Sequence, residues 1–153
     1  MSRILPHQSA TKKLPASRPL TANISLLAVT PDQDDCQVIE GFLDHDGWTV
    51  QGAQSIREAA TLMEEQPDLV LCERNLPDGS WKDVFRIAQR LDTPPPVVVV
   101  SRYADERFWA EVLNLGGYDV LLKPFVGNEV SRVLRMALRH AQEREPAYLC
   151  AAV

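Results

Sequence analysis

Pro67-Asp68-Leu69-Val70-Leu71-Cys72-Glu73 is the stretch that decides the fold. Leu69 to Cys72 is apolar throughout and leaves no polar face, so it is expected as a central strand covered on both sides. Val97 to Val100 is a second such run. It follows Pro94, Pro95 and Pro96, which stop any helix before it. Ile24 to Val29 reads as another buried strand, and Val120 to Leu122 as one closed by Pro124. Trp48 to Gly52 alternates instead, with Trp48 and Val50 on one face, as an edge strand does.

Between these runs the apolar period changes to that of a helix. Val38, Ile39, Phe42 and Leu43 form one stripe. Ser55 suits an N-cap ahead of Ile56, Ala59, Ala60 and Met63. Val84, Ile87, Ala88 and Leu91 repeat the pattern. Trp109, Val112 and Leu113 form a face ended by Gly116 and Gly117. Val130, Val133, Leu134, Ala137 and Leu138 make the last stripe. Strict strand–helix alternation predicts an α/β fold: a (βα)5 doubly wound parallel five-stranded sheet. The edge character of the second strand favours the order 2-1-3-4-5. In such sheets the site lies beyond the carboxyl ends of the strands.

The chain has 153 residues, enough for one domain, and its apolar fraction of 45% suits one buried core. The domain is expected over 23–142. A basic, disordered arm at 1–22 precedes it and a tail at 143–153 follows. The net charge is −5; the arm contributes +4 through Arg3, Lys12, Lys13 and Arg18, leaving −9 on the rest. A body this acidic is a poor nucleic-acid binder, because that affinity rests on neutralising phosphates. No apolar run approaches the roughly 18 residues that span a bilayer. The first residues lack the continuous apolar segment of a signal peptide. A cytoplasmic protein without membrane contact is the expectation. Cys36, Cys72 and Cys150 are far apart and odd in number, so no metal-ligand pair is expected, and Cys72 reads as strand filler.

The strand ends deliver Thr30-Pro31-Asp32, Glu73, Ser101 and Lys123-Pro124 to one place. Over about residues 23–142 the chain resembles the receiver domains of two-component response regulators, which are flavodoxin-like (CheY-like) in fold. Pro67 to Glu73 with Leu76-Pro77-Asp78-Gly79, and Leu121-Leu122-Lys123-Pro124-Phe125, carry the resemblance. So does the 18-residue step from Val29 to Gly47.

The resemblance implies a phosphoacceptor aspartate where this chain has Glu73. It implies a pair of metal-binding acids where the chain has Thr30 and Pro31. Proline offers no side-chain oxygen and threonine only a neutral one, whereas magnesium favours carboxylates. Asp32 lies nearby, but Asp32, Asp34 and Asp35 are most simply the start and cap of the first helix. The Mg²⁺ site is therefore expected to be lost or very weak, with no cofactor and no metal. The extra methylene of Glu73 moves its carboxylate by roughly 1.5 Å, one carbon–carbon bond. Misplacement of about 1 Å already costs about 10²-fold in an aligned displacement.

The resemblance implies that Ser101 and Lys123 are remnants of the phosphoryl site, which here can serve the Glu73 carboxylate instead. Glu73 then either mimics a phosphoaspartate or forms an ion pair that only supports the fold. The resemblance implies a switch aromatic where the chain has Val120, which has no ring to rotate, and Tyr118 is expected on the same side of that strand. Trp81 is expected to pack on the third helix. Tyr103, Phe108 and Trp109 surround the fourth helix as a candidate partner face, with at least one of them in the core. His45 and His140 are expected far from the strand ends.

Taken together, the expected function is a stand-alone, degenerate receiver (a pseudo-receiver), not an enzyme, working by protein–protein interaction. Its partner would be a sensor kinase, an output protein, another regulator or a second copy. The last would dock through the face of the fourth helix, fifth strand and fifth helix. The alternatives are a still phosphorylatable single-domain regulator or phosphate shuttle, and a small flavodoxin-like enzyme. The last is opposed by the absence of glycine from Thr30 to Gln37, where a phosphate loop would lie.

Overall fold

In the computed structural model, five parallel strands form one sheet. The structure describes residues 23–44 and 47–152, with side chains through 143. Numbering the strands of this sheet, β1 is Ile24–Val29, β2 Trp48–Ala53, β3 Leu69–Glu73, β4 Val97–Ser101 and β5 Asp119–Leu122. Their order is β2-β1-β3-β4-β5, as expected. The helices are α1 (Gln33–Leu43), α2 (Ile56–Met63), α3 (Trp81–Gln89), α4 (Glu106–Leu115) and α5 (Gly127–Ala152). A short antiparallel ladder, Asn75–Leu76 with Gly79–Ser80, lies in the loop after β3.

The central strands are buried on both faces because both are covered by helices. One layer packs Ala59, Met63, Trp81, Val84, Phe108 and Val112 of α2, α3 and α4. The other packs Ile39, Leu43, Val130, Val133 and Leu134 of α1 and α5. Val97 to Val100 are all buried, each contributing roughly 1.5–3 kcal/mol by removal from water. Trp81 sits in the first layer, 5.9 Å from the Phe85 ring centre, so packing is what it does.

The caps explain the helix boundaries. Ser55 accepts the Glu58 N–H, and Ser80 with Asp83 forms a reciprocal capping box for α3. Asp105 accepts the Phe108 N–H, so α4 starts at Glu106. Packing turns Phe108 and Val112 to the sheet and corrects the expected face: Leu113, one position on, is half-exposed. Gly116 ends α4 with φ 114°, and a Cβ there would lie 2.7 Å from Phe85 Cζ.

The last helix differs from expectation. A tail was expected over 143–153, but the backbone of α5 continues to Ala152. Pro146 removes one helical donor there, while Ala, Glu, Gln and Leu around it favour the helix. The arm at 1–22 and His45 lie outside the described residues.

Candidate functional site

The site is built where β1, β3, β4 and β5 end. β1 delivers Thr30, whose N–H donates to Ala53 O at 2.8 Å. Its hydroxyl oxygen is taken locally, accepting the Asp32 N–H at 3.2 Å. Pro31 is exposed. Asp32 is the N-cap of α1 and accepts the Asp34 N–H at 2.9 Å. It serves the helix backbone.

The acid that enters the site is Asp35. Its Oδ2 lies 2.5 Å from Lys123 Nζ. Lys123 Nζ also lies 3.1 Å from Glu73 Oε1. One ammonium therefore serves two carboxylates, one from α1 and one from the end of β3. All three side chains are largely covered: 9% exposed for Lys123, 15% for Glu73 and 18% for Asp35. Sequence reasoning assigned Asp35 to the helix start and missed this role. The available signal was position: Asp35 lies four residues before the buried Ile39 and so shares the core-facing stripe.

The electrostatics follow from the sharing. Burial pushes the Glu73 carboxyl above its ordinary value, and the hydrogen bond and charge of Lys123 only partly oppose this. Burial alone would depress Lys123. The hydrogen bonds and charges of Asp35 and Glu73 together outweigh it and hold the ammonium above its usual value. A cavity of about 10 Å³ adjoins the trio, lined by Thr30, Asp35, Ile39, Glu73, Val100 and Phe125. It has room for one water at most.

Ser101 is buried at the end of β4, but it does not serve Glu73. Its hydroxyl donates to Tyr103 O at 2.7 Å and accepts the Tyr103 N–H at 3.2 Å. Arg74 reaches the same carbonyl from the end of β3, donating from Nη1 at 3.2 Å. The Arg74 guanidinium lies 3.9 Å over the Phe108 ring. The loop after β4 is thus held from two sides.

The candidate partner face is corrected in part. Tyr103 is 79% exposed, Trp109 is half-buried, and Phe108 belongs to the core. Val120 is buried in the same layer as Phe108. Tyr118 is on the other layer, contrary to expectation: its ring lies 5.5 Å from that of His140 on α5. Its N–H donates to Val97 O, at the opposite end of the sheet from the site. Asp78 is committed elsewhere, accepting the N–H groups of Ile56 and Arg57 at 2.9 and 3.1 Å. The first of these bonds is the chief reason its carboxyl lies below its ordinary value. The Cys72 thiol is pushed far up by burial and is unreactive filler, as expected.

An open parallel α/β sheet with an acid, a hydroxyl and a lysine at its strand ends defines the receiver type. The sequence model of the response regulator receiver domain matches residues 26–135, and the chain belongs to that family. It is 32% identical over 119 residues to the KDP operon transcriptional regulatory protein KdpE of Escherichia coli, covering 75% of this chain and 51% of that one. It is 29% identical over 119 residues to the transcriptional regulatory protein ZraR of the same species, covering 77% of this chain and 27% of that one. The chain thus spans about a quarter to a half of these relatives. A two-component response regulator from Clostridium difficile superposes with a TM-score of 0.68 at 27% identity, covering 76% of this chain and 97% of that one. Among the described residues, no helix is long and apolar enough to cross a membrane.

Proposed function

We propose that this receiver unit signals by protein–protein interaction without phosphoryl transfer, in the cytoplasm and not as an enzyme. The observation that carries the reading is the state of Lys123. The ammonium that would hold an incoming phosphoryl group already pairs with Asp35 and Glu73. The Ser101 hydroxyl, which would also hold it, is turned to Tyr103.

The donor set does not fit a magnesium ion. Pro31 has no side-chain oxygen, the Thr30 hydroxyl is engaged with Asp32, and Asp32 caps α1. The two carboxylates that remain flank an ammonium, whose charge repels a second cation.

The partner is a protein: a sensor kinase, an output protein, another regulator or a second copy. The face of α4, β5 and α5 supports the last, with half-exposed Leu113, Leu122 and Met136. The experiment is incubation with acetyl phosphate and Mg²⁺ followed by intact mass. The expected result is no mass gain beside an active receiver as control. An acid-labile gain of one phosphoryl group would overturn the reading and restore the phosphorylatable regulator.

A further inference from the structure

The Asp35 carboxylate stands where none of the site's strand-end positions would put one. It comes from the first turn of α1 and crosses to the end of β5. Its separation from the lysine, 2.5 Å, is shorter than the 3.1 Å between Lys123 and Glu73. Both contacts are charge-assisted, and the one to Asp35 is the shorter. The Asp32 carboxylate has another task, accepting the Asp34 N–H in the cap.

We infer that Asp35 is an internal ligand of Lys123, a positioning residue that closes the site to external anions. The inference deepens the phosphoryl-independent reading and rests on it. Asp35 does the work that a bound phosphoryl oxygen would do, but from within the chain and permanently. Three elements are joined by one ammonium: α1 through Asp35, β3 through Glu73, and β5 through Lys123 itself. The two carboxylates leave the trio with a net charge of −1, so an approaching anion meets repulsion as well as occupancy. The adjoining cavity, about 10 Å³, offers little enclosed room beside the carboxylates. Without Asp35, Lys123 keeps only Glu73, the charge of the pair becomes zero, and space opens beside the ammonium. The site then becomes an anion site for inorganic phosphate or sulfate.

The ligand-free test is the reactivity of Lys123 toward an amine-acetylating reagent, read by peptide mass. Lys82, paired to Glu111 at the surface, is the internal reference. In the unaltered chain Lys123 is expected to react more slowly than Lys82, because its side chain is 9% exposed against 41% for Lys82 and two carboxylates occupy its ammonium. Asp35→Ala, which removes the carboxylate and opens the space beside the ammonium, raises the Lys123 rate several-fold. Inorganic phosphate slows it again in Asp35→Ala and leaves the unaltered chain unchanged. That phosphate protection is a readout that a merely structural Asp35 would not move. Equal rates in the two chains, or equal protection by phosphate in both, would overturn the inference. Should Asp35→Ala not fold, Glu73→Gln carries the test. With Asp35 still in place, its Lys123 rate stays within about twofold of the unaltered chain, well under the tenfold of one lysine pKa unit. A tenfold rise would show that Glu73 is the shield and would overturn the inference. The acetyl phosphate experiment judges the phosphoryl-independent reading separately, because it reads mass gain at a carboxylate in the unaltered chain.

Discussion

Lys123 holds Asp35 at 2.5 Å and Glu73 at 3.1 Å, so the lysine is the shared centre of the site. Removing a shared centre leaves two carboxylates facing each other with little solvent. Lys123→Ala is therefore expected to destabilise the fold by about 2–4 kcal/mol, near the cost of breaking a buried pair. Urea denaturation measures it. Adding Glu73→Gln to Lys123→Ala should recover part of the loss, because one of the two stranded charges is gone. A double variant no more stable than the single one would show that lost packing, not stranded charge, sets the cost.

The pH dependence of the Glu73 contribution has a definite sign. Its carboxyl is raised in the folded chain, chiefly by burial. Its stabilising contribution is then complete below the ordinary carboxylate value and is lost as pH rises through the folded value. Glu73→Gln mimics the protonated form at every pH. It is expected to match or exceed the unaltered chain in stability at neutral pH, with the difference closing as pH falls below the ordinary Glu value. A Gln variant that is weaker at neutral pH and equal at low pH would mean that Lys123 outweighs burial.

The strands and their order were legible because Leu69 to Cys72 and Val97 to Val100 have no polar face, and few folds bury such runs in alternation with helices. Glu73, Lys123, Thr30 and Pro31 were legible for the same reason, since a strand end has one address in this sheet. Asp35 was not, because an acid in a first helical turn already has a sufficient explanation in the cap. Only its place on the Ile39 stripe distinguished it. The partner of Ser101 was not legible either. A hydroxyl takes whichever acceptor its loop brings near, and here the loop brings the Tyr103 carbonyl. The rotation of α4 was not legible, because it is set by packing against the sheet, which takes Phe108 and Val112 in and leaves Leu113 out.

Arg74 ties the loop after β4 to the core by a hydrogen bond to Tyr103 O and a stack on Phe108. Arg74→Ala is expected to cost about 1 kcal/mol, the sum of one modest hydrogen bond and one partly exposed cation–π contact. Hydrogen exchange at the Tyr103 N–H should accelerate more than exchange in β3. Arg74→Lys should recover the stability only in part, since an ammonium lacks the planar fork. Unchanged exchange at Tyr103 in Arg74→Ala would assign the loop's order to Ser101 alone.

Val120 and Phe108 occupy one packed layer, with the ring on the helix and the small residue on the strand. A ring added at position 120 must displace atoms that are already close-packed. Val120→Phe is expected to cost about 1–3 kcal/mol, the usual range for over-packing a core. Thermal denaturation measures it. If the two sites share one volume, Val120→Phe with Phe108→Leu should be more stable than the sum of the single costs predicts, because neighbours in one layer do not add. Additive costs would mean that the two side chains fill separate spaces. The valine would then be a free choice at that position, not the complement of Phe108.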